Sequence, residues 1–185
     1  MLDIIQKDKE LLTYLNNLGS EYWDFLWLTI TNQLSWIPLF VFIIYLVFKT
    51  FGWKRGGFAL LFMILLVAFS DQFTNLIKNS FERLRPNNDP EIKYFLRTLI
   101  NPQSFSFMSG HATTSTFFSV FVILLLREQY KYIYAILLFP IVFSYSRMYL
   151  GVHFPIDISV GIVIGIIFGN LYFLLFKKVE KRLFS

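Results

Sequence analysis

Residues 155–176 read PIDISVGIVIGIIFGNLYFLLF. The stretch opens on Pro155, a favoured first residue of a helix, and carries a single charge, Asp157, near its start. At a rise of about 1.5 Å per residue it is long enough to cross a hydrocarbon core of roughly 30 Å. Lipid is the solvent such a segment calls for.

Working outward, further apolar runs lie at about 35–51, 57–78, 111–126 and 132–148. The composition agrees: 56% of residues are hydrophobic, 20% aromatic and only 16% charged, with mean hydropathy +0.56. A soluble domain carries roughly 25% charged residues. There are no cysteines, so disulfides, thiolate catalysis and Cys-ligated zinc are excluded. The net charge of +5 sits mainly at the ends of apolar runs, which is membrane anchoring and not a nucleic-acid surface. The fold class expected is all-α: a polytopic transmembrane helix bundle of five to six spans forming one domain over 1–185.

Residues 1–34 are expected to be an amphipathic, interfacial segment. Asp3, Lys7, Asp8, Lys9 and Glu10 interrupt any signal-peptide core, while Leu2, Ile5, Leu11, Leu12 and Leu15 can share one side of a helix. Trp23 and Trp27 suit the bilayer interface. The competing reading is a sixth span cut short by Asp24 and Gln33.

Loop charges give the orientation. Lys49, Lys54, Arg55, Arg127, Lys131, Lys177, Lys178, Lys181 and Arg182 fall on one side, opposed by Glu128 and Glu180, so that side is expected to be cytoplasmic. The long loop 79–108 and the turn 148–154 then face outward, toward the periplasm if this is a bacterial inner membrane.

The chemistry-bearing residues gather at that outer side. The two histidines, His111 and His153, both lie there. Asp71, Asn75, Lys78 and Glu82 are spaced to share a helix face, and Asp71, inside an apolar run, is expected to face a polar interior. Ser109 is a good N-cap, and Gly110 permits close approach to amides at the positive end of a helix, a ready anion site. Asp157 lies four positions after His153, so its carboxylate can reach back to the imidazole and fix its tautomer.

Lys78 with six residues before Arg85-Pro86, Ser109-Gly110-His111, and Ser146-Arg147 with five residues before His153 and three before Asp157 together resemble the tripartite signature of the type-2 phosphatidic acid phosphatase superfamily. The likeness covers Lys78 to Asp157 and, with the span pattern, most of the chain. One departure is Met108, where the family usually has proline, and a looser loop is expected there.

The resemblance implies an integral membrane lipid phosphatase with a phosphohistidine intermediate and no metal or other cofactor. His153 would be the nucleophile, Asp157 its orienting carboxylate and His111 the general acid and base. Lys78, Arg85, Arg147, Ser109 and Gly110 would bind phosphate. The expected partners are a phosphorylated membrane lipid and the bilayer, with no nucleic acid. Undecaprenyl pyrophosphate is the leading substrate; phosphatidylglycerol phosphate, phosphatidic acid and lipid A 1-phosphate are alternatives. A lipid transporter and an inactive lipid-binding relative are weaker rivals, because the polar residues cluster at one face and each motif side chain is in place; a haloperoxidase would share the anion pocket, but the family's oxidases are soluble and much larger. Phe105–Phe107 and Phe117-Phe118 could line a path for the lipid tail. Gly161, Gly165 and Gly169 are expected to pack inside a monomeric bundle, with a homodimer interface as the minority reading.

Overall fold

A computed structural model describes residues 2–184, all of whose regular elements are helical. Helix α1 (Leu2–Asn17) and helix α2 (Glu21–Thr31) are followed by a 3₁₀ turn and the long α3 (Ile37–Phe81). After an irregular loop come α4 (Gly110–Leu126), a 3₁₀ segment (Lys131–Leu137), α5 (Leu138–Tyr149) and α6 (Pro155–Phe184). Gln33–Asn88, Lys131–Tyr149 and Pro155–Phe184 are long and apolar enough to cross a membrane.

Helix α3 is two antiparallel arms, corresponding to the first two apolar runs. Gly52 breaks it with φ +67°, a backbone region open to glycine at little cost. A Cβ on Gly56 would lie 3.3 Å from Phe48 Cα, so the chain has turned back within a few residues. Five helical rods result: the two arms of α3, the shorter apolar α4, α5 with its 3₁₀ lead-in, and α6.

The fourth apolar run differs from expectation. Residues 131–137 form 3₁₀ helix, leaving only Leu138–Tyr149 as α-helix. Pro140 accounts for the tightened turn before it: in a regular α-helix its ring would clash with the carbonyl of Ile136, and it has no N–H to donate.

Helix α6 packs on α4 through the glycine stripe. A Cβ on Gly165 would stand 2.8 Å from Thr113 O, and one on Gly169 would stand 2.6 Å from Val120 Cβ. The stripe is therefore consumed inside the bundle. Around it Phe62, Phe117, Phe121, Tyr172 and Phe176 form edge-on and tilted ring pairs. Phe117 and Phe118 are buried in this core and so do not line a lipid path. Outside, Leu61, Ile64, Leu65, Ile167, Leu171 and Leu174 are exposed, an apolar coat that only lipid would cover.

At one end of the bundle the Gly52 turn meets the C-terminus, where Arg55 Nη2 donates to Phe184 O at 3.1 Å. At the other end α1 and α2 lie across the loops. Helix α2 has no buried residue and is an 11-residue element, too short to be a sixth span. Asn16 holds α1 down, its Nδ2 donating to Tyr149 O at 2.7 Å and its Oδ1 accepting from Arg97 N at 2.7 Å.

Candidate active site

The ends of α3, α4 and α6 that lie away from the Gly52 turn are brought together by their own terminal chemistry. Helix α3 stops at Glu82, whose φ of +49° closes the last turn beside Lys78. The loop then runs through Arg83 and Arg85 and returns at Ser106, whose N–H donates to Arg83 O at 2.8 Å. Helix α4 begins under Ser109, whose Oγ accepts from Ala112 N at 3.4 Å. The amides of Gly110 and His111 have no carbonyl one turn back and are left for a ligand. A Cβ on Gly110 would stand 3.8 Å from Lys78 Nζ, so the lysine ammonium lies over that helix start. Ser109 N donates to Asp157 O at 3.2 Å, locking the start of α4 to the start of α6.

Between α5 and α6 the chain turns at Gly151, which has φ +68° and follows a bond from Val152 N to Arg147 O of 3.1 Å. His153 emerges from this turn 1% exposed. Its Nδ1 lies 3.4 Å from Asp157 Oδ2, and its Nε2 lies 3.1 Å from Arg85 Nη1. A guanidinium can only donate, so Nε2 carries the lone pair and the ring proton sits on Nδ1, toward the carboxylate. Burial, the dominant cause, with the neighbouring Arg85 and Arg147 assisting it, holds the His153 imidazole far below the usual histidine range against the opposing pull of Asp157. The ring is therefore neutral.

Arg85 is fixed by four contacts. Nε donates to Ser104 O at 2.6 Å, Nη2 to Ser104 Oγ at 2.9 Å, and Nη1 to Val152 O at 2.9 Å as well as to His153. Arg147 is 5% exposed; its Nη1 donates to Thr31 Oγ1, and its Nε is buried without a partner. A buried donor left open beside a cluster of cations is suited to an anion. His111 packs against Phe143 at 4.7 Å between ring centres and lies within electrostatic reach of Lys78, Arg85, Arg147 and His153.

All eight residues expected at the site thus meet at one end of the bundle. Ser109 differs in detail, since its hydroxyl caps α4 and its side chain is fully buried. Asp71 differs more. It is exposed on the flank of α3 with Asn75 Nδ2 at 3.3 Å, because Ser70 and Thr74 take the inward positions one residue earlier. Met108 is 2% exposed and well packed, so its loop is not loosened.

Other residues were not expected. Asp157 Oδ1 accepts from Arg83 Nη1 at 2.7 Å, while Oδ2 accepts from the Ser106 hydroxyl and from Phe154 N at 2.9 Å. Arg83 Nη2 in turn reaches Asp8 Oδ2 at 2.8 Å. The sequence does carry a trace of Asp8: it falls in the same helical stripe as Leu12 and Asn16, a charge on the face that α1 buries.

Comparison with known proteins gives the family. The model of the PAP2 superfamily matches residues 56–181. A lipid A 4'-phosphatase of Bacteroides thetaiotaomicron is 32% identical over 182 residues, covering 96% of this chain and 80% of the relative. An undecaprenyl-diphosphatase of Sulfolobus acidocaldarius is 28% identical over 148 residues, covering 80% of this chain and 61% of the relative. The crystal structure of a transmembrane PAP2-type phosphatidylglycerolphosphate phosphatase from Bacillus subtilis shares the fold, with TM-score 0.74 at 22% identity over 99% of this chain and 89% of that one. With its helical spans, its converging cations and its two imidazoles, the chain belongs to the PAP2 superfamily and is a multi-pass membrane lipid phosphatase.

Proposed function

We propose that this enzyme hydrolyses a phosphate monoester on a lipid A-type glycolipid head group through a phosphohistidine intermediate. The observation that carries the mechanism is the His153 ring, neutral and buried, with Nδ1 toward Asp157 and the Nε2 lone pair toward Arg85. When a phosphate displaces the Arg85 contact, Nε2 attacks phosphorus in line and the bond to the lipid oxygen breaks. His111 protonates that oxygen, and Asp157 stabilises the imidazolium that forms. His111 then takes a proton from water as it attacks the phosphohistidine, releasing inorganic phosphate and restoring the ring.

Lys78, Arg85, Arg147 and the α4 amides of Gly110 and His111 bind the non-bridging oxygens. Phosphoryl transfer depends chiefly on such positioning and charge neutralisation. The basic residues at the Gly52 end support a reading in which that end is cytoplasmic and the site faces outward, in a bacterial cell toward the periplasmic side of the inner membrane. The chain 1–185 acts as one domain, with 79–108 as its active-site loop.

The substrate class rests on the lipid A 4'-phosphatase relative, whose similarity runs through α1 and the loop as well as the motifs. Undecaprenyl diphosphate is the second reading, supported by the archaeal relative. Phosphate release by the purified protein from micelles of lipid A, undecaprenyl diphosphate, phosphatidylglycerol phosphate and phosphatidic acid decides between them. A preference for lipid A, lost on dephosphorylated lipid A, is expected. A preference for the diphosphate would replace the first reading by the second.

A further inference from the structure

We infer that Asp8, on the N-terminal helix, is a positioning residue for phosphoryl transfer: through Arg83 it holds Asp157, and so the His153 ring, in the attacking orientation. The inference rests on His153 being the nucleophile, as proposed above.

Helix α1 lies outside residues 56–181 that match the family model, yet one of its side chains reaches the site. The Asp8 side chain is 1% exposed. A carboxylate taken out of water is costly unless its oxygens are occupied, and both are. Oδ2 accepts from Arg83 Nη2 at 2.8 Å, and Oδ1 accepts from Ile156 N at 2.9 Å. Arg83 spends its other terminal nitrogen on Asp157 Oδ1 at 2.7 Å. Its guanidinium carbon stands 3.9 Å above the centre of the Phe154 ring, which sets the plane of the fork.

The arrangement grips Asp157 from two directions. Arg83 pulls on one carboxylate oxygen, while Asp8 holds the backbone of the preceding residue at the first turn of α6. The other oxygen of Asp157 is then aimed at Phe154 N, Ser106 and His153 Nδ1. Docking of α1 alone would not need this bridge. Lys9 with Asp89 at 2.8 Å and Glu91 at 2.7 Å, and Asn16 with Arg97 and Tyr149, already tie the helix to the loops. Those contacts avoid the residues around His153. Leu12 adds apolar packing near Phe154, but among the described polar contacts of α1 Asp8 is the one that reaches Arg83 and Ile156 beside Asp157.

The test uses the full chain in detergent with the best lipid phosphate found for the wild type. Asp8→Asn keeps an oxygen for Ile156 N and removes the charge that Arg83 needs. It is expected to lower kcat about tenfold with KM within about twofold, the size of a coupling between contacting charged groups. Lys9→Met, which loosens α1 elsewhere, is expected to lower the thermal midpoint and keep kcat. Because Asp8 acts through Arg83, Arg83→Gln with Asp8→Asn is expected to be no slower than Arg83→Gln alone.

Unchanged kcat in Asp8→Asn, or equal losses in Asp8→Asn and Lys9→Met, would reduce Asp8 to a docking contact and overturn the inference. If Asp8→Asn fails to fold, Arg83→Lys decides, because it keeps the charge but cannot bridge two carboxylates; wild-type kcat there also overturns it. His153→Ala separates this from the reading beneath it. Turnover by that variant sinks the nucleophile and the inference together, whereas an inert His153→Ala beside an unaffected Asp8→Asn sinks the inference alone.

Discussion

Arg85 Nη1 stands 3.1 Å from His153 Nε2, and a group that can only donate thereby marks the nitrogen that can attack. In the proposed mechanism one guanidinium both grips phosphate and touches the nucleophilic nitrogen, so phosphate oxygens on Arg85 compete with its contact to that lone pair. Phosphate binding and activation of Nε2 are coupled on this reading, with Nδ1 kept on Asp157.

His153→Ala is expected to lower phosphate release by on the order of 10³-fold or more, because it removes the group that forms the covalent intermediate in the proposed mechanism. The ring is buried but small, so the variant should still insert and unfold cooperatively. Phosphate release in detergent, paired with a thermal melt, checks both halves. A folded His153→Ala that turns over near the wild-type rate would assign the nucleophile elsewhere.

Arg85→Lys keeps the charge and loses the fork. Four contacts to Ser104, Val152 and His153 depend on that planar geometry, and a lysine ammonium cannot reproduce their directions. The expected loss is about 10²-fold in kcat/KM, comparable with removing a preorganised donor from a transition-state oxyanion. Steady-state kinetics on the preferred lipid give the value, and a loss under about threefold would make Arg85 a simple point charge.

The spans and the gathering of the site residues at one end of the bundle are legible because each obeys a short-range rule. Apolar length reveals a helix in lipid, and Lys78, Arg85, His111, Arg147, His153 and Asp157 sit at fixed offsets near helix ends. What stayed hidden depends on tertiary neighbours. Arg83 stands at no diagnostic offset of its own, and its meaning comes from Asp8, far away in the chain. Asp71 was misread because periodicity gives a face but not which face turns inward, and Ser70 and Thr74 hold that position. Pro140 could have warned that the fourth run would tighten to 3₁₀ helix before it.

Orthovanadate is expected to inhibit and chelators to leave activity intact. Vanadate can adopt the five-coordinate geometry of phosphorus in flight, and Lys78, Arg85 and Arg147 would neutralise it as they do the transition state. Phosphate release with each reagent, alone and together, checks this. Loss of activity in chelator, restored by a divalent cation, would show that the cations of the protein are insufficient.

The depressed His153 basicity links pH to stability. The unfolded ring takes a proton near pH 6.5, whereas the folded ring resists protonation until pH about 3. Its contribution is therefore complete above about pH 6.5 and is lost as the pH falls from there toward 3. Thermal midpoints in detergent should fall between pH 7 and 5, and His153→Gln, which cannot titrate, should show a shallower fall. Parallel slopes for the two proteins would mean that other groups carry the acid sensitivity.

The glycine stripe should matter more for catalysis toward the outer end. A Cβ on Gly161 would stand 2.9 Å from Ser109 O, one turn below Asp157, whereas one on Gly165 would meet Thr113 O at 2.8 Å, a turn deeper. Either alanine forces α4 and α6 apart, an overpacking that costs about 1–3 kcal/mol and lowers the melt by several degrees. Only the first pushes directly on the residue whose N–H donates to Asp157 O and whose hydroxyl starts the anion-binding helix. Gly161→Ala should thus lose kcat as well as stability, and Gly165→Ala mainly stability. Gly57→Ala, where a methyl meets nothing within 4 Å, should change neither. Equal kcat for the two stripe variants would mean that the helices yield as rigid rods and that the site does not depend on their separation at Ser109.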